Sequence, residues 1–404
     1  MNILFLTNLI PYPLDNGGKI KTFNMLKMLS SMNNIDLFSF YEEEKDKENI
    51  KPLEDLCNNI AVVKKPLTTS KNMSYMKKVA VKTIFSPLPM VAYKFKGEEM
   101  YTLLEESIKR NKYDLIYIDH LQLAVYENLF KKYNLTFYLD QHNCESQIIK
   151  RQVDKEQSFA KKLFLSYEYL KLKRFEETML KKAEKVVVLS QEDKEVMTKN
   201  IAINMDKFVI IPIPVESDYK KDVKSNIKEE IKLIFLGTLS WYPNSQGLGW
   251  FLDKVIPLLE ENSVKYSFYI VGKDPGKDIM SKCVNNPKIV VTGYVDDINE
   301  YIEKCDVMVV PIFIGSGMRV KILEALAKAI PVISTEVGAE GIDVKNEESI
   351  LISNNEQEFY ENILKLKNEE LYKLLQQNGL QLFQEKYSYQ AIENLIREKL
   401  FKDK

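Results

Sequence analysis

The feature that most constrains this chain is a long alternation of short apolar runs with helix-prone stretches. Residues 3–7, 35–40, 60–63, 115–118, 136–139, 186–189 and 208–211 are such runs. Runs this short and this apolar read as strands buried on both faces, the environment of a parallel sheet covered by helices. A second series follows at 231–236, 267–271, 289–291, 307–311 and 332–334. Between the two lies 216–230, polar and without aliphatic periodicity, which reads as a linker. At 404 residues the chain can hold two cores of this kind. The expected organisation is an N-terminal α/β domain over 1–215, the linker over 216–230, and a second α/β domain over 231–385. A surplus helical pattern over 386–404 ends the chain.

Within the second series, residues 315–341 carry the most chemistry. They read as a strand end, a glycine turn (Gly315, Ser316, Gly317, Met318), a helix, a strand and a second glycine turn at Gly338 and Ala339. A glycine turn at a helix start offers an anion free backbone N–H groups and the positive end of the dipole. The same turn delivers Arg319, Lys321 and Glu324. Cations at a helix start oppose the dipole, and a bound dianion removes that conflict. Positive charge for phosphates together with an acceptor for hydroxyls suits a nucleotide diphosphate.

Charge and composition exclude other classes. Lys and Arg total 57 against 58 Asp and Glu, so no global field draws nucleic acid. The four cysteines are scattered without a CxxC pair and read as core residues of a reducing compartment. Cys and His spacing offers no metal site, and no Asp-x-Asp pair occurs. Residues 3–6 are apolar but are interrupted by Asn8 and the turn at 11–13, too short for a signal peptide or a span. A cytoplasmic protein is expected. A nicotinamide oxidoreductase would need G-x-G-x-x-G after the first strand, which Gly17-Gly18 does not supply. Two basic and apolar segments, 70–95 and 148–182, could meet an acceptor or an anionic membrane face, or be amphipathic surface helices.

Four further motifs carry a resemblance. They are Gly237-Thr238-Leu239-Ser240-Trp241-Tyr242-Pro243-Asn244, Gly293-Tyr294-Val295-Asp296-Asp297, Cys305-Asp306-Val307 leading to Pro311, and the 315–341 stretch itself. In that order and spacing they resemble the donor domain of glycosyltransferase family 4, a retaining family with the GT-B fold. Phe5-Leu6-Thr7, Pro11-Tyr12-Pro13 and Asn16-Gly17-Gly18-Lys19 are similar to family members that build bacterial surface polysaccharides.

The resemblance implies two Rossmann-like domains facing a cleft, with the last helix crossing back onto the first domain. It implies a sugar moved, with retention, from a nucleotide-diphosphate sugar to a hydroxyl of a glycan or lipid-linked acceptor, with no cofactor. Glu324 matches the second glutamate of the family's E-x7-E motif, the ribose ligand, while Ser316 stands where the first is expected. No Arg–Lys pair follows the first donor-domain strand near Gly237, so Arg319 and Lys321 inherit the diphosphate. His142, after the 136–139 run, matches the donor-sugar histidine better than His120 does. Gly17 and Gly18 occupy the loop that approaches the diphosphate. Ser316 also leaves open a second reading, a catalytically weak subunit that supports another transferase.

Overall fold

The computed structural model describes residues 1–66, 73–199, 201–216, 227, 229–295, 297–315 and 317–401. The apolar runs become strands of two all-parallel sheets. The first holds β1 (Asn2–Leu6), β2 (Asn34–Tyr41), β3 (Asn59–Lys64), β4 (Leu115–Asp119), β5 (Phe137–Asp140), β6 (Lys185–Val188) and β7 (Phe208–Ile210), in the order β3-β2-β1-β4-β5-β6-β7. The second holds β8 (Ile231–Leu236), β9 (Tyr266–Val271), β10 (Ile289–Gly293), β11 (Val307–Val310), β12 (Val332–Ser334) and β13 (Leu351–Ile352), in the order β10-β9-β8-β11-β12-β13. Both sheet faces are covered: Leu4, Leu6, Ile116 and Ile118 are buried, and so are Phe5 and Tyr117, which stack at 5.0 Å. Phe251 links Phe268 and Phe359 at 5.3 and 5.7 Å in the second core.

The chain divides into two units, Met1–Ile211 with Leu395–Lys404, and Pro212–Asn394. Of the linker expected at 216–230, residues 217–226 and 228 lie outside the described residues. The end of the chain belongs to the first unit. Ile396 and Leu400 are fully buried, and the Leu400 carbonyl accepts from Tyr138 Oη at 3.3 Å and Lys185 Nζ at 3.0 Å.

Two elements depart from the sequence reading. β13 was not expected, because two residues carry no periodicity; its pairing with β12 defines it. The helical run over 148–182 is two helices, Glu145–Lys155 and Phe159–Lys182. Glu156 and Ser158 are extended between them, and the Glu156 carboxylate accepts from Ser158 N–H at 3.0 Å and pairs with Lys161 at 2.5 Å. Local side-chain bonds of this kind offer the backbone an alternative to the helix. Among the described residues no helix is long and apolar enough to cross a membrane.

Each sheet reverses its strand order once, between β1 and β4 and between β8 and β11. The carboxyl ends of strands at such a switch point are where open α/β sheets bind ligands.

Candidate functional site

In the second unit the candidate residues converge on the carboxyl ends of β8 and β11. Gly237, immediately after β8, has φ 148°. A Cβ there would meet Asn244 Nδ2 at 2.6 Å and Lys321 Nζ at 2.9 Å, so only glycine admits the lysine. Lys321 arrives from the helix Val320–Ala327 and donates to Asn244 Oδ1 at 3.1 Å. Its ammonium lies 4.4 Å from the Phe235 ring centroid, and Asn244 is held by donating to Thr238 O at 2.9 Å.

Burial, then the neighbouring Arg319, pushes the Lys321 ammonium down to about 7, against the pull of Glu324. The Glu324 carboxyl is raised by burial, opposed by Lys321 and Lys328. Among the described residues Lys321 has no carboxylate within ion-pair distance, so its one polar partner there is a neutral amide. A half-buried ammonium in this position favours an anion.

Arg319 occupies the N-cap position of the same helix. Gly315 has φ 125°, and a Cβ on it would meet Arg319 Nη2 at 2.7 Å. The glycine lets the guanidinium fold over its own turn. Gly317, φ 87°, and Met318 are buried, so Met318 could reach a ligand only through its backbone. Ser316 lies outside the described residues.

The second glycine turn expected at Gly338 and Ala339 is instead a short helix, Glu336–Ala339. Gly338 N–H donates to Thr335 Oγ1 at 2.9 Å, and a Cβ would meet Ser334 Oγ at 2.3 Å. Both residues are buried. The glycine is there for packing, and its amide is already used by the cap, which corrects the expectation of an open turn.

The first unit assembles a different site at the carboxyl ends of β1, β4 and β5. Asp119, the last residue of β4, is fully buried and its carboxylate accepts from four donors. Thr7 Oγ1, Thr22 Oγ1 and His120 Nδ1 reach Oδ2 at 2.7, 2.8 and 2.9 Å, and His142 Nε2 reaches Oδ1 at 2.6 Å. The two imidazoles stack at 3.7 Å. His120 has φ 90°, an uncommon backbone state for a non-glycine residue. Beside the triad, buried Lys21 pairs with Asp140, the last residue of β5, whose other oxygen accepts from Tyr117 at 2.7 Å.

Burial disfavours the Asp119 anion, but the two imidazoles outweigh it and hold the carboxyl well below the usual range. Burial likewise opposes charge on His120, yet Asp119 raises it. His142 goes the other way: burial, then His120 and Lys21, push it down to about 4. A neutral His142 that donates through Nε2 keeps its lone pair on Nδ1. The ligating atoms of Asp119, His120 and His142 lie within 4.8 Å of one another, a spacing a metal ion could bridge and one that sequence spacing did not suggest. Both carboxylate oxygens are, however, already engaged by protein donors.

Gly17 opens the helix Gly17–Ser30 and Gly18 follows it, with Asn16 capping Lys19 N–H at 3.1 Å. The first N–H groups of a helix have no partner within it, which suits the expected approach to an anion. Sequence reasoning missed Asp119, Asn244 and the packing glycines. A Cβ on Gly272 would meet Gly237 O at 1.8 Å, and one on Gly247 would meet Pro311 O at 1.8 Å. A usable signal was present: Thr7, Asp119 and Asp140 each stand at the end of an apolar run, where polar residues become neighbours once the strands pair in parallel.

Residues 230–369 match the family model of the group 1 glycosyl transferases. Over 394 residues, 95% of each chain, the protein is 25% identical to an uncharacterized 44.6 kDa protein in the cps region of Klebsiella pneumoniae. It is 24% identical over 197 residues to a UDP-Gal:alpha-D-GlcNAc-diphosphoundecaprenol alpha-1,3-galactosyltransferase of Escherichia coli, covering 45% of this chain and 50% of that one. The structure of Anabaena HepE in complex with UDP and glucose superposes with a TM-score of 0.64 at 14% identity, covering 99% of both chains. The protein is a glycosyltransferase of the GT-B fold, with a group 1 glycosyl transferase domain at residues 230–369.

Proposed function

We propose that the chain transfers a sugar, with retention, from a nucleotide-diphosphate sugar to a hydroxyl of a glycan or lipid-linked acceptor in the assembly of a bacterial surface polysaccharide, glycolipid or glycoprotein. The observation that carries the reading is Lys321, a half-buried ammonium with a neutral partner at the mouth of a glycine turn. A diphosphate is the anion that such a lysine, Arg319 and the start of the helix Val320–Ala327 together suit. Glu324, on the same helix, is the acceptor for ribose hydroxyls, and Gly237, Gly315, Gly317 and the Met318 backbone line the approach. UDP in the HepE complex and the UDP-galactose of the Escherichia coli relative support a uridine nucleotide.

The chemistry then asks for charge stabilisation on the departing phosphate, and Lys321 and Arg319 supply it in place of a metal clamp. His142 is the residue we assign to the donor sugar, its Nδ1 lone pair accepting from a sugar hydroxyl. Gly17 and Gly18, at the start of the helix Gly17–Ser30, offer amides that suit an anion. The attacking hydroxyl's proton passes to the leaving phosphate oxygen, so the mechanism names no protein base. A panel of nucleotide sugars, assayed for hydrolysis and transfer with product stereochemistry, tests the reading. Turnover of one donor, lost in Lys321→Met, is expected. No turnover of any donor, together with no nucleotide binding by calorimetry, would overturn it.

A further inference from the structure

We propose that Glu145, Lys94 and the Nε2 edge of His120 form a recess in the first unit that binds adjacent hydroxyls of a sugar, the terminal sugar of the acceptor. On the transfer reading, which this inference presupposes, the chain extends an existing glycan and does not act on a bare lipid phosphate.

One helix, Phe159–Lys182, sets the recess. Its buried Glu168 accepts from Met90 N–H at 2.6 Å, and its buried Glu176 accepts from Glu145 N–H at 3.0 Å. Met90 and Glu145 each open a helix, Met90–Tyr93 and Glu145–Lys155, where an N–H has no partner within the helix. The two glutamates are eight residues apart, about 12 Å along the axis, so one rigid element pins both segments. Lys94 ends the shorter helix. The carbonyl of the next residue, Phe95, accepts from Tyr126 Oη at 2.6 Å, which ties it to the turn Leu121–Tyr126 that His120 opens. His120 N–H donates to Asp140 O at 3.0 Å across β4 and β5.

Three polar groups of this cluster have no hydrogen-bond or ion-pair partner among the described residues. They are the Lys94 ammonium, the Glu145 carboxylate and His120 Nε2, whose ring uses only Nδ1 to reach Asp119. Lys94 and Glu145 are half-buried. Their charges nonetheless act on one another. Burial raises the Glu145 carboxyl, against His120 and Lys94, and burial lowers the Lys94 ammonium, against Glu145 and Glu42.

The arrangement selects its ligand. Polar groups taken partly out of water gain from a partner that completes their hydrogen bonds. Two donors around one acceptor match hydroxyls, which both donate and accept. A phosphate only accepts and would meet the Glu145 charge, and an apolar chain would leave all three groups unmatched. His120 stacks on His142, the residue assigned to the donor sugar, at 3.7 Å. The recess therefore adjoins the place where an attacking hydroxyl is needed.

The test is saturation-transfer NMR of the full chain with octyl galactoside, octyl glucoside and octyl phosphate, UDP being present. At least one octyl glycoside is expected to bind, and octyl phosphate is expected not to displace it. Glu145→Ala and Lys94→Met should each weaken glycoside binding by about tenfold or more, as loss of a hydrogen bond to a charged group does. Glu145→Gln, which keeps a carbonyl acceptor, should recover part of that loss. The melting temperature of Glu145→Ala should hold or rise, because the carboxylate has no protein donor to lose; a purely structural glutamate would lower it. No glycoside binding by the parent, displacement by octyl phosphate, or parent-like binding by Glu145→Ala would each overturn the recess. UDP binding is read from melts of the same samples. Glycoside binding lost while the UDP shift is kept counts against the recess alone, and absence of both counts against the transfer reading as well.

Discussion

The two switch points share a strand order and differ in how their charges are settled. In the first unit Asp119 is saturated by four protein donors and Lys21 is paired with Asp140, so the network is closed. In the second unit Lys321 is half-buried against a neutral amide and an aromatic ring. The contrast teaches what each edge is for. A closed network spends its charge on fixing side-chain orientation, here the tautomer and plane of two imidazoles. An edge whose half-buried cation is hydrogen-bonded, among the described residues, to a neutral amide alone favours the arrival of an anion.

The strongest way to break the comparison is to open the closed edge. Asp119→Ala leaves Thr7, Thr22, His120 and His142 without their shared acceptor, and should cost about 1–3 kcal/mol for each buried donor left unsatisfied, read by urea denaturation. A loss under 1 kcal/mol would show that the carboxylate does not organise the first edge. Next in size is the second edge. Lys321→Met should leave the fold intact and lower turnover by about two to three orders of magnitude, as removal of one charge-stabilising donor does. An unchanged rate would mean that the anion is held elsewhere.

Packing at the second edge comes third. Gly272→Ala forces a methyl onto the Gly237 carbonyl and should cost about 1–3 kcal/mol while weakening nucleotide binding in parallel, measured by melting with and without UDP. The smallest effect is a pH dependence. The free enzyme holds Lys321 at about 7, and a diphosphate favours its charged form. UDP affinity should therefore weaken as pH rises above 7, by at most about tenfold per unit, and Lys321→Arg should flatten the slope. The stability of the ligand-free protein runs in the opposite direction. The unfolded lysine keeps its proton up to about 10.4 while the folded one loses it near 7, so between these values this group makes the fold more stable as pH rises. Calorimetric titration across that range, with melts run in parallel, separates the two signs.

Much of this architecture was legible in the residues, for a specific reason. A strand buried on both faces has no room for polar side chains, so β1, β4, β8 and β11 appear as uninterrupted apolar runs. The two-residue β13 has too few side chains to show a pattern. Gly315 was legible because a glycine turn before a helix is a local device. Asp119 was not, since its importance arises from Thr7, Thr22 and His142, up to 112 residues away, which only parallel pairing brings together. Gly338 misled for the complementary reason: glycine serves an open loop and a tight contact alike, and the sequence does not say which.

The return of residues 395–401 to the first unit has a consequence for synthesis. Pro212–Asn394 is one continuous segment, whereas the first unit is discontinuous. A ribosome delivers most of the first unit early, but Ile396 and Leu400, each contributing about 1.5–3 kcal/mol when buried, emerge after all of the second. The part begun first is completed last. A nascent chain halted near residue 394 would carry a finished second unit and a first unit with its β5–β6 flank uncovered. Tyr138, which donates to the Leu400 carbonyl and stacks on Phe401 in the folded chain, would lack both partners until residues 395–401 emerge.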